Sequence, residues 1–379
     1  MSNASTVKEE RKMNSIKQIE VIYDSLLVGR LALTKEGLCA FEYSAEWLNS
    51  GFSISPFELP LRSGVFIAKP RPFEGGFGVF DDCLPDGWGL LILDRYLQRN
   101  GVNPRTLSLL DRLALVGSTG RGALEFRPDK SVVSKQEYAD FEKLALEAER
   151  ILDSDDYNGE GIEEFQYRGG SPGGARPKIF TRYDGKEWLV KFRAKRDSKR
   201  IGEDEYRYSL LAKECGIEMP ETRLFEDKYF GVERFDRVSN GKLHIVSVAG
   251  LIGADYRLPS IDYTHIFQVC AALTHSVAEM WKVYRLMVFN YLIDNKDDHA
   301  KNFAFIFRDG DWHFAPAYDL LPSDGINGFR TTSINDSIEP TKEDLFAVAV
   351  KVGLNERTVM EIFERMESIV RGYLRSNYN

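Results

Sequence analysis

The chain reads Asp297-Asp298-His299-Ala300-Lys301-Asn302 and then, beyond two short apolar runs, Ala317-Tyr318-Asp319. Apolar residues lie on nearly every side of the preceding segment 281–293, which predicts a helix buried on most of its surface. The runs 303–307 and 312–314 are strand-like, and Arg308-Asp-Gly-Asp311 between them is a turn signal. The sequence therefore predicts a helix, a polar loop and a β-hairpin, followed by Asp319.

The order Asp297, Asn302, Asp319 has a chemical meaning in phosphoryl transfer. In protein kinases a loop Asp orients the acceptor hydroxyl, an Asn five positions later holds a metal ion, and an Asp beyond a hairpin holds Mg-ATP. The spacing predicts Asp297 as the catalytic residue and Asn302 and Asp319 as Mg²⁺ ligands. A solvated acidic loop between core elements is the alternative.

A Gly-rich loop, Gly169-Gly-Ser-Pro-Gly-Gly-Ala-Arg-Pro-Lys178, is the candidate phosphate cradle. Its glycines let backbone N–H groups approach phosphates closely. The loop is neither a Walker A motif nor a dinucleotide fingerprint, and flexible linkers share its composition. The ATP contacts predicted here are Gly170, Ser171, Gly173, Gly174, Ala175 and Lys178.

A lysine and a carboxylate are expected next to that loop. Alternation along the predicted strand 187–193 places Lys191 opposite the apolar face, where it can reach the α- and β-phosphates. The segment 201–216 is a plausible helix with acidic residues in its first turn. Glu205 is the predicted partner of Lys191, with Glu203 in reserve, although acidic residues favour any helix N-terminus.

These segments together resemble the HipA family, the serine/threonine kinase toxins of bacterial toxin–antitoxin modules. The segments that carry the resemblance are 171–178, 233–237 (Glu-Arg-Phe-Asp-Arg), 297–303 and 318–319, and near the N-terminus 28–31, 41–43 with Trp47, 59–61 and Leu84-Pro-Asp-Gly-Trp-Gly89. It implies an α+β, bilobal, protein-kinase-like fold with an additional N-terminal α/β subdomain and a mainly helical C-terminal lobe.

The resemblance also implies roles for individual residues. Glu233 and Phe235 correspond to the adenine contacts, and His299 and Lys301 complete the predicted nucleotide set. His299 is expected as a hydrogen-bonding brace more than as a base or a metal ligand. Ser171 matches a serine that family members autophosphorylate, and a phosphate there would repel the loop from the ATP site.

Four segments are predicted along the chain: a disordered tail at 1–14, the HipA-type N-terminal subdomain at 15–135, the nucleotide-binding lobe at 136–237 and the helical lobe at 238–379. Amphipathic helices are predicted over 135–153 and 356–373, with a polar link at 154–161. Four widely spaced cysteines and the lack of a long apolar run predict a cytoplasmic protein with no structural zinc and no membrane contact.

Partners follow from charge and from the resemblance. A net charge of −8 argues against strong autonomous binding to DNA, so DNA is expected only indirectly, through a HipB-like helix-turn-helix antitoxin. The implied substrate is a protein, an aminoacyl-tRNA synthetase or another translation factor. The alternatives are a small-molecule or lipid kinase, an ATP-binding corepressor without transfer activity, and a metal-dependent hydrolase built on Asp297, Asp298 and His299.

Overall fold

The computed structural model describes residues 15–132, 139–154, 157, 159–169, 174–325 and 327–378. The predicted tail at 1–14 and the proposed boundary at 135 lie outside these residues. Mixed helices and antiparallel sheets make up the described chain, as expected for the α+β class.

A five-stranded antiparallel sheet with four helices forms the N-terminal module, residues 18–127. Its elements are β1 (Gln18–Tyr23), β2 (Leu26–Leu33), β3 (Cys39–Tyr43), α1 (Ala45–Ser50), β4 (Val65–Ile67), α2 (Gly78–Asp81), α3 (Gly87–Arg99), α4 (Leu109–Val116) and β5 (Glu125–Arg127). The strand order is β4-β3-β2-β1-β5. The last strand of the module, β5, therefore pairs with the first, β1. This pairing places residues 117–124, which precede β5, beside the chain that follows the module.

The predicted nucleotide-binding lobe, called the nucleotide lobe below, follows. Its elements are α5 (Phe141–Asp153), α6 (Gly161–Gly169), β6 (Lys178–Tyr183), β7 (Lys186–Lys191), α7 (Ile201–Glu214), β8 (Thr222–Phe225) and β9 (Tyr229–Glu233). It contains a four-stranded sheet with the strand order β6-β7-β9-β8. Trp88 and Ile92 of α3 pack in the same apolar core as this sheet. The N-terminal module thus contributes directly to the lobe.

Two helix predictions need correction in this region. The helix expected over 135–153 begins at Phe141, because the Asp140 side chain accepts a hydrogen bond from the Lys143 amide at 3.0 Å and caps it there. The segment from Gly161 was expected to end a polar link, but it starts α6. Its buried side chains, such as Phe165, lie between polar ones that hide the apolar face in the sequence.

The C-terminal part is mainly helical around a three-stranded sheet. Its elements are β10 (Arg237–Val238), β11 (Gly241–Lys242), β12 (His244–Ser247), α8 (Val248–Ile252), β13 (Ile261–Asp262), α9 (Tyr263–Thr274), α10 (Val277–Leu292), β14 (Ala304–Arg308), β15 (Asp311–Phe314), β16 (Thr332–Ser333), α11 (Lys342–Lys351) and α12 (Glu356–Tyr378). The helix before the polar loop and the hairpin after it, α10 and β14–β15, confirm the prediction. The final helix is confirmed and runs five residues beyond Tyr373.

The three parts are held together by a shared core and by a buried ionic clamp. Asp236 accepts hydrogen bonds from Arg234 at 3.0 and 2.8 Å, from Arg237 at 2.9 Å and from the Gly122 amide at 2.8 Å. Both arginines also donate to the carbonyl oxygen of Gly120, at 3.3 and 2.8 Å. The clamp therefore fixes the end of the nucleotide lobe against the N-terminal module.

Across the described ranges, with their gaps, the helices are too short or too polar for any of them to span a lipid bilayer.

Candidate active site

Lys191, the last residue of β7, is the central cation of the site. Its side chain is 7% exposed, and its Nζ atom lies 2.6 Å from Oε1 of Glu205 on α7. The same ammonium group forms an ion pair with Asp319. Glu203, the reserve partner, instead pairs with Arg200 at 3.1 Å on the outside of the helix. Glu205, the predicted partner, is therefore the helix carboxylate that pairs with Lys191.

The charges of this cluster stabilise one another. Burial alone would lower the pKa of Lys191, but Asp319 and Glu205 outweigh it and the net effect raises that pKa. Partial desolvation likewise pushes the pKa of Asp319 upward, although its side chain is 43% exposed, yet Lys191 and Lys178 hold that pKa well below its usual range. Lys191 is therefore an ammonium ion and Asp319 a carboxylate at neutral pH.

Asp319 is presented to the cleft by an unusual backbone and an anchored neighbour. Its φ of +56° lies in the left-handed region, which Asp adopts more readily than most residues. The Tyr318 hydroxyl donates to the carbonyl oxygen of Lys301 at 2.6 Å and accepts from Arg121 at 2.9 Å. Tyr318 thereby fixes the position of Asp319 relative to the loop that carries Asn302.

Asp297 and Asn302 lie on the predicted catalytic loop, residues 294–302, which is called the catalytic loop below. The side-chain amide of Asn302 donates to the carbonyl oxygen of Asp297 at 2.8 Å, so the amide oxygen is the atom that remains to bind a metal ion. Asp297 is exposed at the loop surface. Partial desolvation of its carboxyl group and repulsion from Asp319 raise its pKa, against the opposing influence of His299.

A chain of hydrogen bonds connects the backbone of Asp297 to the buried side chains behind the loop. The Asp297 amide donates to Asn295 at 3.2 Å, and Asn295 donates to Asn290 at 3.1 Å. Asn290 donates to the Tyr263 hydroxyl at 3.0 Å, which donates to Asp298 at 2.7 Å. The chain starts and ends at adjacent residues, so α9 and α10 both fix the loop.

Asp298 faces this core and not the cleft. Its side chain is 1% exposed, and burial raises its pKa to about 7. A hydrolase site built on Asp297, Asp298 and His299 would need these groups to converge on one ion. Within the part of the chain that the structure describes, no three His, Cys, Asp or Glu residues are grouped to hold a metal, and the geometry does not favour that alternative.

The Gly-rich loop is described from Gly174 onward, and the predicted contacts Gly170, Ser171 and Gly173 lie outside the described residues. Gly174 has φ +89°, a conformation that glycine adopts without strain. The Ala175 backbone continues the loop toward Lys178, whose side chain is 4% exposed. Burial, and then the charge of Lys191, lower the pKa of Lys178 to about 8 although Asp319 opposes them.

Arg176 is a site residue that the sequence reasoning did not single out. Its Nε atom lies 3.0 Å from Asp197, and its guanidinium group lies 3.7 Å from Glu205. It therefore ties the Gly-rich loop to the carboxylate that holds Lys191. The available signal was its place in a loop predicted to meet phosphates, since Arg commonly binds such groups.

The other predicted nucleotide contacts have structural partners of their own. Glu233 pairs with Lys186 at 2.7 Å, and the Phe235 ring stacks on Tyr318 at a centroid distance of 6.1 Å. His299 Nδ1 accepts the Lys301 amide at 3.2 Å, which is the bracing geometry expected for it. Binding of a nucleotide by these residues stays a prediction.

Lys301 points toward the N-terminal module. Its Nζ atom lies 3.0 Å from Asp81 and 3.2 Å from Asp86, and 4.1 Å from the centre of the Tyr256 ring. Neither acid was assigned a role from the sequence, although Asp86 belongs to the segment Leu84–Gly89 that carried the family resemblance. Only the folded chain brings these residues to the catalytic loop.

The donor set fits Mg²⁺ with ATP. Asn302 and Asp319 offer oxygen atoms, and Mg²⁺ is usually held by one or two protein groups together with substrate phosphates and water. Lys191 and Lys178 place positive charge where phosphates would lie. The arrangement can therefore support phosphoryl transfer.

Comparison with known proteins supplies the family context. A sequence model described as the HipA-like C-terminal domain matches residues 170–373, and one described as the HipA N-terminal domain matches residues 19–127. A Sinorhizobium fredii protein provisionally named kinase Y4dM is 28% identical over 79% of this chain and 76% of its own. The serine/threonine-protein kinase toxin HipA of Shewanella oneidensis is 22% identical over 85% of this chain and 79% of its own.

A solved structure gives the same picture of the fold. The Shewanella oneidensis HipA chain in a complex of HipA, HipB and operator DNA superposes with a TM-score of 0.70. The two chains are 19% identical, and the match covers 94% of this chain and 90% of the other. The predicted fold class is thereby confirmed.

Proposed function

This chain belongs to the HipA family of kinase toxins, and on that premise we propose that it is an ATP-dependent serine/threonine protein kinase acting as the toxin of a toxin–antitoxin pair. The observation that carries the proposal is the position of Lys191 between Glu205 and Asp319. A strand lysine held by a helix carboxylate, beside an Asp that follows a hairpin, is how protein kinases bind Mg-ATP.

ATP would occupy the cleft between the Gly-rich loop and the catalytic loop. Lys191 and Lys178 would neutralise phosphate charge, and the backbone from Gly174 to Ala175 would approach the phosphates closely. Glu233 and Phe235, at and just beyond the end of β9, are the proposed adenine contacts. Asn302 and Asp319 would hold Mg²⁺, which when bound neutralises the charge of the transferred group.

Asp297 is the proposed catalytic residue. Its exposed carboxylate would accept a hydrogen bond from a serine or threonine hydroxyl and hold that oxygen in line for transfer. The buried hydrogen-bond chain beneath it supports such a role, because phosphoryl transfer depends mostly on positioning and electrostatics. Replacing Asp297 should therefore remove transfer while the fold survives.

Ser171 is the proposed autophosphorylation site. A phosphate adds roughly −1.5 to −2 charge, and ATP needs the same loop for its own phosphates. The modified loop would be repelled from the nucleotide site, and the kinase would inactivate itself.

The proposed partner is a HipB-like helix-turn-helix antitoxin. Support comes from the fold shared with the HipA chain of the HipA, HipB and operator DNA complex and from the net charge of −8, which favours indirect contact with DNA. The family resemblance extends the proposal to a protein substrate from the translation machinery, such as an aminoacyl-tRNA synthetase.

Intact-mass measurement before and after incubation with Mg-ATP tests the activity, with peptide mapping to locate the phosphate. We expect one added phosphate at Ser171 in the wild type and none in Asp297→Ala. An equal gain in both proteins, with a contaminating kinase excluded, would contradict the assignment of Asp297. A gain elsewhere than Ser171 would contradict the proposed self-inactivation.

A further inference from the structure

The segment Leu84–Gly89 of the N-terminal module binds the described end of the Gly-rich loop on both sides of one residue. The Gly174 amide donates a hydrogen bond to Oδ1 of Asp86. The Trp88 amide donates to the carbonyl oxygen of Gly174 at 3.0 Å. Two bonds to a single loop residue fix both its position and its orientation.

The second oxygen of Asp86 reaches the other half of the site. Oδ2 lies 3.2 Å from the ammonium group of Lys301, which precedes the proposed metal ligand Asn302. Lys301 is 9% exposed and is also paired with Asp81. One carboxylate therefore connects the Gly-rich loop with the catalytic loop.

The structure of α3 does not by itself require this contact. Asp86 occupies the N-cap position of that helix, where Asp ordinarily accepts a hydrogen bond from the first turn, but its side chain makes no such bond. Gly87 has φ +45°, and a Cβ atom there would lie 2.5 Å from the carbonyl oxygen of Gly174. The Asp-Gly pair thus suits close approach of the Gly-rich loop better than it suits capping of the helix.

We propose that Asp86 is a positioning residue of the transfer site, whose carboxylate holds the Gly-rich loop in register with the catalytic loop. Its importance for phosphoryl transfer rests on the proposed function, whereas the tethering of the loop does not. Displacement of the loop, by phosphorylation or otherwise, must break both hydrogen bonds of Gly174 to this segment. The N-terminal module thereby acts on the nucleotide site without touching the nucleotide.

Hydrogen–deuterium exchange of peptides that contain residues 174–178, measured without nucleotide, tests the tether. Asp86→Ala should speed their exchange about tenfold, as expected when one charge-assisted hydrogen bond is lost. Gly87→Ala should act in the same direction, because it pushes against Gly174 and leaves the carboxylate in place. Asp81→Asn is the matched control, since it also weakens a pair with Lys301 but does not contact Gly174.

Two results would overturn the proposal: unchanged exchange in a folded Asp86→Ala protein, or an equal increase in Asp81→Asn. Melting temperature and exchange in the distant helix α12 show whether a variant is folded. If Asp86→Ala does not fold, Gly87→Ala tests the contact with Gly174 in its place. The dissociation constant for Mg-ATP, measured by calorimetry, should rise in the same two variants. Because exchange is read without ATP, a wild type that transfers no phosphate would refute the kinase proposal and leave the test of the tether intact.

Discussion

The Nζ atom of Lys191 lies 2.6 Å from Oε1 of Glu205, and both side chains are less than 10% exposed. The two residues come from different elements, the end of β7 and the first turns of α7. A buried ammonium group is costly unless it is paired, so the position of the helix sets the position of the cation. This couples the packing of α7 to the charge of the proposed ATP site.

Glu205→Gln should lower phosphoryl transfer by about 10- to 100-fold, because Lys191 keeps its charge but loses the ion pair that orients it. Glu203→Gln is the matched control two residues earlier, where the side chain pairs with Arg200 outside the cleft. Steady-state kinetics on both variants makes the comparison. Equal losses of transfer in the two variants would mean that the negative charge in the first turns of α7 matters and not the specific ion pair with Lys191.

Local patterns were sufficient to predict this pair. Alternation along one strand gave the direction of Lys191, and the first turns of one helix supplied its partner. The clamp residues Arg234 and Asp236 show where such reasoning fails. They flank Phe235, a predicted adenine contact, yet their own side chains bind Gly120 and Gly122 across the boundary with the N-terminal module.

A contact between distant segments explains why no role was predicted for Asp86. Asp86 reaches Gly174 and Lys301 across 88 and 215 positions of the chain, and no periodicity in the sequence encodes such a meeting. The helix α6 was missed for a local reason, since its polar residues and terminal glycines resemble a link. Burial against α3 and α5, which only the folded chain provides, stabilises it.

Asp319→Asn should reduce transfer by on the order of 10²- to 10³-fold, since it removes the charge of the proposed metal ligand and one ion-pair partner of Lys191. Asn tolerates positive φ as Asp does, so the backbone should keep its shape. Asp309→Asn is the control, because Asp309 also has positive φ, +55°, but lies at an exposed hairpin turn. Circular dichroism and turnover measured together separate loss of chemistry from loss of fold.

Asp236→Asn should lower the free energy of unfolding by about 3–5 kcal/mol, because it leaves the buried Arg234 and the partly buried Arg237 without their main counter-charge. Urea denaturation gives this value. The half-exposed pair of Asp255 and Arg257, 3.5 Å apart, provides the comparison, and Asp255→Asn should change stability by about 1 kcal/mol or less. Similar losses in both variants would argue against the clamp.

ATP affinity should fall as the pH rises above about 8, the value to which burial and Lys191 lower the pKa of Lys178. Phosphate binds the ammonium form, so affinity is full below that pKa and declines by up to about tenfold per pH unit above it. Lys178→Gln should bind more weakly at pH 7 and lose this decline. Lys186→Gln, at the exposed start of β7 in the same sheet, should retain it, as calorimetric titration over pH 7–9.5 would determine.

Asp298→Asn should make stability less dependent on pH. Burial raises the pKa of Asp298 from 3.8 to about 7, so the folded state holds a proton that the unfolded state releases. Stability from this group is therefore greatest below pH 4 and is lost as the pH rises toward 7. The asparagine cannot ionise, and the decline between pH 5 and 8 should shrink by about 1–3 kcal/mol.

Urea denaturation at several pH values measures that decline, with Asp311→Asn at an exposed turn as the control. Burial also raises the pKa of Glu58 to about 7. Glu58 should therefore account for the decline of stability with pH that remains in the variant. Should Asp298→Asn keep the full wild-type slope, the carboxyl group beneath the catalytic loop would not be the titrating one. A reduced slope together with retained turnover would assign the group a structural role, whereas a matching loss of turnover would mean that the buried hydrogen-bond chain also positions Asp297.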